Sequence, residues 1–189
     1  MKVLKIAAVF IFLGGAAQAE TSWEQHLKPI AKKAFSPSSF VKTGAGALLQ
    51  HVRDSPPEWG QGAAGLGKRF GSTFGKHLVG GSVQMSVGTL LHEDLTYHPS
   101  EKTGFAPRLK YAILSTLIAR DTTTGDPTPA FGRFSGALAG GFVSRTWQPV
   151  RLHTISSGFE SSGVSLGADA AMNIIREFWP EIRHPRRGR

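Results

Sequence analysis

The chain is 189 residues long, with 22 lysines and arginines against 13 aspartates and glutamates, a formal net charge of +9 and no cysteine. This excludes a disulfide framework, a cysteine nucleophile and lipid attachment at a thiol. The basic balance favours anionic lipid, cell-wall polymer or an acidic partner over nucleic acid, and is silent about fold.

Lys2 and Lys5 precede an unbroken apolar run, Ile6 to Leu13, and Ala17-Gln18-Ala19 has the small-x-small form of a cleavage site. These are the parts of a secretory signal peptide, and the apolar run is too short for the roughly 20 residues a bilayer span needs. Cleavage is expected after Ala19; the competing reading is an uncleaved anchor. Residues 20–180 are expected to form one helical domain and residues 181–189 a basic tail. One domain of about 150 residues buries close to 70% of its unfolded surface, so a core can be built without staples.

Thr21 or Ser22 can cap a first helix over Trp23 to Phe35, with Glu24 in its first turn and a kink at Pro29. Ser36-Pro37-Ser38-Ser39 opens a second helix reaching Val52, with Phe40, Ala47, Leu48 and His51 on its inner side, and Pro56-Pro57 ends it. A third helix is expected from Gly60 to Leu91. Gly67, Gly71 and Gly75 fall on one line of it, beside a ridge of Leu66, Phe70, Phe74 and Leu78; Gly80-Gly81 is a candidate break. Glycine inside a helix costs about 1 kcal/mol against alanine, so such a series suggests close backbone contact.

Pro107 to Arg120 reads as a buried central helix, because Tyr111, Ile113, Leu114, Leu117 and Ile118 wrap most of its circumference. Asp121 to Pro129 is a polar turn, so a helical hairpin with the next element is expected. That element, Phe131 to Trp147, repeats the glycine series at Gly132, Gly136 and Gly140 beside Phe134, Leu138 and Phe142, with Arg133 and Arg145 near its ends. A last helix is expected from Ser156 to Phe178, with Gly163, Gly167 and Ala171 in the groove and Leu166, Ala170, Ile174 and Phe178 in the ridge. The fold class is therefore all-α: a compact helical bundle with glycine-faced, small-xxx-small helix packing. Such grooves occur in membrane helices, but Leu78–Leu91, Tyr111–Ala119 and Phe134–Ser144 all fall short of a span. A water-soluble bundle is the first expectation, ahead of one lying on the envelope membrane and one that spans it.

The densest polar segment is Leu91-His92-Glu93-Asp94-Leu95-Thr96-Tyr97-His98. His92, Glu93, Asp94 and His98 could hold a metal or run acid–base chemistry. The H-E-x-x-H pattern would need a histidine where Thr96 stands, so no metal site is assigned. Glu93 and Asp94 sit where a long helix should end, a place that disfavours carboxylates, and an arginine partner is expected from Arg108, Arg120, Arg133 or Arg145. Asp121 and Asp126 read as turn chemistry. There is no G-x-S-x-G, P-loop or dinucleotide fingerprint, and Ser86, Ser135 and Ser165 have no motif around them. No cofactor is implied, and no small-molecule ligand is identifiable. Arg183, Arg186, Arg187 and Arg189 could hold an anionic surface.

The blocks G-K-R-F-G (Gly67 to Gly71), L-H-E-D-L-T-Y (Leu91 to Tyr97), L-I-A-R-D (Leu117 to Asp121), P-A-F-G-R (Pro129 to Arg133) and E-F-W-P-E-I (Glu177 to Ile182) resemble a functionally uncharacterised family of exported soil-bacterial proteins. The resemblance implies one exported domain and carries over no catalytic residue, cofactor or substrate. The expectation is an exported, periplasmic or envelope-associated, non-enzymatic helical protein, structural or interacting, whose partner is an anionic envelope surface or a second copy. The competing class is a small hydrolase or metal-dependent enzyme centred on His92, Glu93, Asp94 and His98. The two differ in geometry: an enzyme needs those groups to converge on an open pocket, whereas a structural cluster turns them toward arginines inside the bundle.

Overall fold

The computed structural model of the protein describes residues 28, 31, 32 and 35–183. The expected signal peptide, nearly all of the expected first helix, and Arg186, Arg187 and Arg189 lie outside the described residues. Five helices follow in order: α1 (Pro37–Val52), α2 (Gly62–Leu90), α3 (Phe105–Leu114), α4 (Phe131–Ser144) and α5 (Ile155–Arg183). Between α3 and α4, β1 (Ile118–Arg120) pairs antiparallel with β2 (Pro127–Pro129), with Ala119 opposite Thr128. The protein is thus mostly helical rather than all-α.

Local chemistry explains most boundaries. Ser36 caps α1 by accepting the Ser39 amide at 3.3 Å, and Pro37 occupies the first turn, where no amide hydrogen is needed. The expected helix over 107–120 stops at Leu114. Beyond it the backbone finds strand partners instead: Ala130 N donates to the Leu117 carbonyl at 2.9 Å, and Asp94 N donates to the Arg120 carbonyl at 2.7 Å. The Asp121 carboxylate accepts the Thr123 and Thr124 amides, and Gly125 supplies φ +79°, so the polar turn closes a β-hairpin, not a helical one. Apolar residues around the whole circumference did not mean burial here, since Ile113, Leu114, Leu117 and Ile118 are all exposed. Helix α4 stops at Ser144 and tightens into a 3-10 turn over Arg145–Trp147. Helix α5 runs through Pro180 to Arg183, into the segment read as tail.

Helix α2 packs chiefly against α4 and secondarily against α1; α4 packs also against α5, and α5 against α3. Polar side chains tie the row together across its interior. Lys42 of α1 reaches Asp169 of α5 at 3.4 Å, and Lys76 of α2 donates to the Ser161 carbonyl at 2.8 Å. Beside them His77 meets the Thr43 hydroxyl at 3.2 Å. Burial pushes the Lys76 ammonium down to about 8; burial, with Lys76 and Lys42 close by, pushes the His77 ring down to about 4.

The glycines differ sharply in their surroundings. A Cβ placed at Gly132, Gly136 or Gly140 would lie 2.8, 2.5 or 2.9 Å from the carbonyl oxygens of Gln84, Gly80 and Lys76 on α2. On the other side of α4, a Cβ at Gly141 would lie 2.7 Å from the Gly158 oxygen of α5. Gly80 is part of this contact, so Gly80-Gly81 marks a close approach and α2 runs through it unbroken. A Cβ at Gly75 would lie 3.5 Å from the Trp147 ring, whereas at Gly67, Gly71, Gly163 and Gly167 it would meet nothing within 4 Å among the described residues. On α2 the buried positions are Gly65, Arg69, Ser72, Thr73 and Gly88.

Side-chain burial is inverted relative to a common soluble core. Among the described residues the buried apolar ones are five alanines: 47, 112, 119, 130 and 137. The largest fully buried side chains are Arg69, Glu177, Thr43 and Ser144. Leucine, isoleucine, valine and phenylalanine, ordinarily among the most buried types, are half-buried or exposed. Helix α1 shows this most clearly. Val41, Ala45, Leu48 and Val52, spaced as one helical stripe, face outward with Val52 82% exposed, while Thr43 and Ala47 face in. Of the inner side expected for this helix, Ala47 is buried and His51 half-buried; Phe40 and Leu48 are exposed, because the packed face is the one with small and polar side chains.

These glycine contacts give a direct prediction. Gly136→Ala pushes a methyl into the Gly80 carbonyl and should destabilise by about 1–3 kcal/mol, the range for overpacking. Gly163→Ala, on the open side of α5, should be neutral or stabilising by up to about 1 kcal/mol through helix propensity. Chemical denaturation of the two variants checks this, and equal stabilities would contradict the contact.

Candidate functional site

The segment after α2 begins with a helix stop that needs a left-handed residue, and His92 takes that place at φ +54°. Its amide bonds back to the Thr89 carbonyl and the Glu93 amide to the Gly88 carbonyl, a Schellman closure usually built on glycine. The turn directs Glu93 away from the end of α2 and under the start of α4, where its Oε2 accepts the Gly132 amide at 2.9 Å. A carboxylate misplaced for one helix thereby serves the N-terminus of another, which favours negative charge. Glu93 is buried, and its Oε1 has no hydrogen-bond partner. Asp94 turns outward. It accepts the Thr96 amide at 2.8 Å and meets His98 Nε2 at 2.7 Å. Burial alone would raise its carboxyl, but these two partners hold it below the usual range.

None of the four arginines expected as partners forms an ion pair with Glu93 or Asp94; Glu93 acts on Arg133 only at longer range. Arg108 binds Glu177 and Glu181. Arg145 donates to the Thr154 carbonyl and stacks its guanidinium 4.6 Å from the Phe142 ring. Arg133 is buried and donates to the Ser115 carbonyl. Arg120, exposed, makes no side-chain hydrogen bond or ion pair among the described residues. The salt-bridge partnership expected for the acidic pair is therefore replaced by a helix terminus and a histidine.

Two polar anchors escaped the sequence reading. Glu177 has a fully buried side chain that accepts from Tyr97 Oη at 2.7 Å, Ser100 N at 2.9 Å, Ser100 Oγ at 2.8 Å and Arg108 Nε at 2.8 Å. Burial pushes its carboxyl up, but the Arg108, Ser100 and Tyr97 hydrogen bonds outweigh that and bring it to about 2. Arg108 also donates to the Glu177 carbonyl, so one guanidinium holds the turn of α5 on which Pro180 sits. The second anchor is Arg69, wholly buried, which donates to the carbonyls of Ser55, Pro56 and Gly60 and pairs with Asp54 at 3.0 Å. It pins the loop between α1 and α2. The available signals were the i,i+4 spacing of Glu177 and Glu181, and one arginine amid the glycines and aromatics of Gly67–Gly71.

An open cleft of about 230 Å³ lies between the 94–98 segment, the end of α3, the hairpin and the start of α4. Asp94, His98, Tyr97, Tyr111, Arg120 and Arg133 line it with apolar residues of α3 and β1. Asp94 and His98 thus share one opening; Glu93 points into the bundle and His92 is not in the wall. Among the described residues no three histidines or carboxylates are grouped as a metal would require. Ser115 lines the cleft but donates its hydroxyl to the Tyr111 carbonyl. The Asp94–His98 pair could exchange a proton with a bound molecule. Of the basic tail residues Arg183 alone is described, with its guanidinium 5.3 Å from the Trp179 ring.

The anchors should respond differently to loss of charge. Glu177→Gln leaves Arg108 its Glu181 partner but removes the charge from four hydrogen bonds at a fully buried side chain, and should cost roughly 1.5–3 kcal/mol. Glu93→Gln keeps an acceptor for the Gly132 amide and gives Oε1's place a donor, so it should cost clearly less, on the order of a helix cap at about 1 kcal/mol. Denaturation of both variants tests the difference. Acid should act in two windows. His77 has a folded value of about 4 against an ordinary 6.5, so stability falls as pH drops from 6.5 toward 4, where the unfolded chain takes up the proton first. Glu177, at about 2 against 4.5, adds a second loss as pH falls from 4.5 toward 2. His77→Gln should flatten the first window and leave the second, as followed by thermal melts across pH. Comparison with known proteins returns no match: no family model, no curated protein and no solved structure is significantly similar to this chain.

Proposed function

We propose that the chain is an exported, non-enzymatic helical protein of the cell envelope that works by docking on an anionic membrane surface, with glycine-faced packing of α4 holding the bundle behind that surface. The carrying observation is the outward stripe Val41, Ala45, Leu48 and Val52 on α1, whose opposite side sends Lys42, Thr43 and Gln50 toward α5 and α2. Exposed Arg53 follows α1 directly, and exposed Lys28 and Lys32 precede it in the chain. An apolar stripe edged by basic residues is the pattern of a helix that lies in the headgroup region, and the fully buried apolar side chain of each inserted leucine or valine contributes about 1.5–3 kcal/mol. Among the described residues no helix is long and apolar enough to cross a membrane, so the reading is of a protein that lies on the bilayer. The basic end, Arg183, Arg186, Arg187 and Arg189, adds charge attraction.

The test is cosedimentation with vesicles. Binding should require anionic lipid and weaken with salt, since exposed charges are screened beyond about 8–10 Å. Leu48→Glu with Val52→Glu should abolish binding while leaving the melting temperature unchanged, because both side chains already face outward. Deleting residues 184–189 should weaken binding without abolishing it. Undiminished binding by the double variant would contradict the assignment to α1. A second reading, a small hydrolase, is favoured by one observation, the Asp94–His98 pair in the cleft wall. It requires hydrolytic activity that His98→Gln removes.

A further inference from the structure

We propose that the cleft between the 94–98 segment, α3 and the hairpin is a binding site for a small organic monocarboxylate, held by Arg133 and Arg120 with its body against Tyr111, Leu114 and Ile118. Arg133 is the first support. It is only 8% exposed, and among the described residues its guanidinium has a single acceptor, the Ser115 carbonyl, with no carboxylate at ion-pair distance. A guanidinium carries five N–H donors. Among the described residues Glu93 Oε1 is the one buried side-chain polar atom without a partner, so the remaining Arg133 donors are not sealed inside the protein. Arg133 itself lines the cleft. Other arginines of this chain show what a settled one looks like, with Arg69 and Arg108 each satisfied by several acceptors.

Arg120 is the second support. It enters the same cleft from β1 with no side-chain partner among the described residues. Two forked donors on one opening match the two oxygens of a carboxylate. The rest of the wall selects the kind of anion. Asp94, held ionised by Thr96 and His98, stands in the same wall and repels a dianion such as phosphate more than a monoanion. The exposed surface of Leu114 and Ile118 and the tilted Tyr97–Tyr111 pair, with ring centroids 6.3 Å apart, offer an apolar seat. At about 230 Å³ the space lies below the roughly 300–1,000 Å³ of drug-sized sites, so the body of the ligand is small. This inference stands independently of the membrane reading, which concerns α1.

Titration of the purified chain with benzoate, benzamide and inorganic phosphate, followed by NMR of the Tyr97 and Tyr111 ring signals, tests it. Benzoate should bind saturably and shift both rings, and neutral benzamide and phosphate should each bind at least about ten-fold more weakly, the factor that 1.4 kcal/mol represents. Arg120→Ala, an exposed position that leaves the fold intact, should weaken benzoate about ten-fold, as loss of a charge-assisted hydrogen bond does. Asp94→Asn keeps the acceptor for Thr96 and should tighten benzoate by removing a like charge. No saturable benzoate binding, equal affinity for benzamide, tighter binding of phosphate, or wild-type affinity in Arg120→Ala would each overturn the proposal.

Discussion

The close approach of α4 to α2 is the constraint on which the rest of the structure depends. Gly132, Gly136 and Gly140 leave no room for a side chain against the carbonyls of Gln84, Gly80 and Lys76, and Gly141 leaves none against α5. Helices this close exclude large side chains from between them. The buried positions are accordingly filled by alanine, serine, threonine and glycine, and the bulky residues are pushed to the flanks. Contact of this kind gains from dense packing more than from the area of each side chain. It also leaves loops and helix ends without a large apolar core to rest on. Polar anchors do that work instead: Arg69 for the loop before α2, Glu93 for the start of α4, and Glu177 with Arg108 for the end of α5.

How much of this was legible in the sequence varies by element. The Ser36-Pro37 start of α1, the length of α2 and the spacing of Gly132, Gly136 and Gly140 stand in the sequence as they stand in the fold, because capping and close approach are local or periodic properties. The other glycine series have the same spacing, but Gly67, Gly71, Gly163 and Gly167 look outward. Periodicity defines a line on a helix and leaves open whether a neighbour lies along it. The hairpin after α3 was hidden because apolar residues at every position fit a buried helix as well as an exposed strand; only the long-range bonds from Leu117 to Ala130 and from Arg120 to Asp94 decide.

The acidic pair is instructive in the same way. Glu93 and Asp94 are out of place at the end of a helix, which the sequence marks. A cation was the expected partner; a helix N-terminus for one and a histidine for the other are what the chain supplies. The cleft could not be read from the sequence. Its walls come from residues 94–98, 111–120, 127 and 133, which the hairpin gathers.

In the proposed function, the outward apolar stripe of α1 meets the bilayer surface while the bundle stays packed through small and polar surfaces. The chain's lack of cysteine makes this directly measurable, since a single introduced thiol can carry a spin label at one chosen place. Labels at Leu48, in the outward stripe, and at Lys68, exposed on α2, should both meet a water-soluble relaxation agent in solution. On adding anionic vesicles, the label at position 48 should lose contact with that agent and gain contact with dissolved oxygen, while the label at 68 stays in water. A label at 48 that remains as water-accessible as the one at 68 would contradict the account.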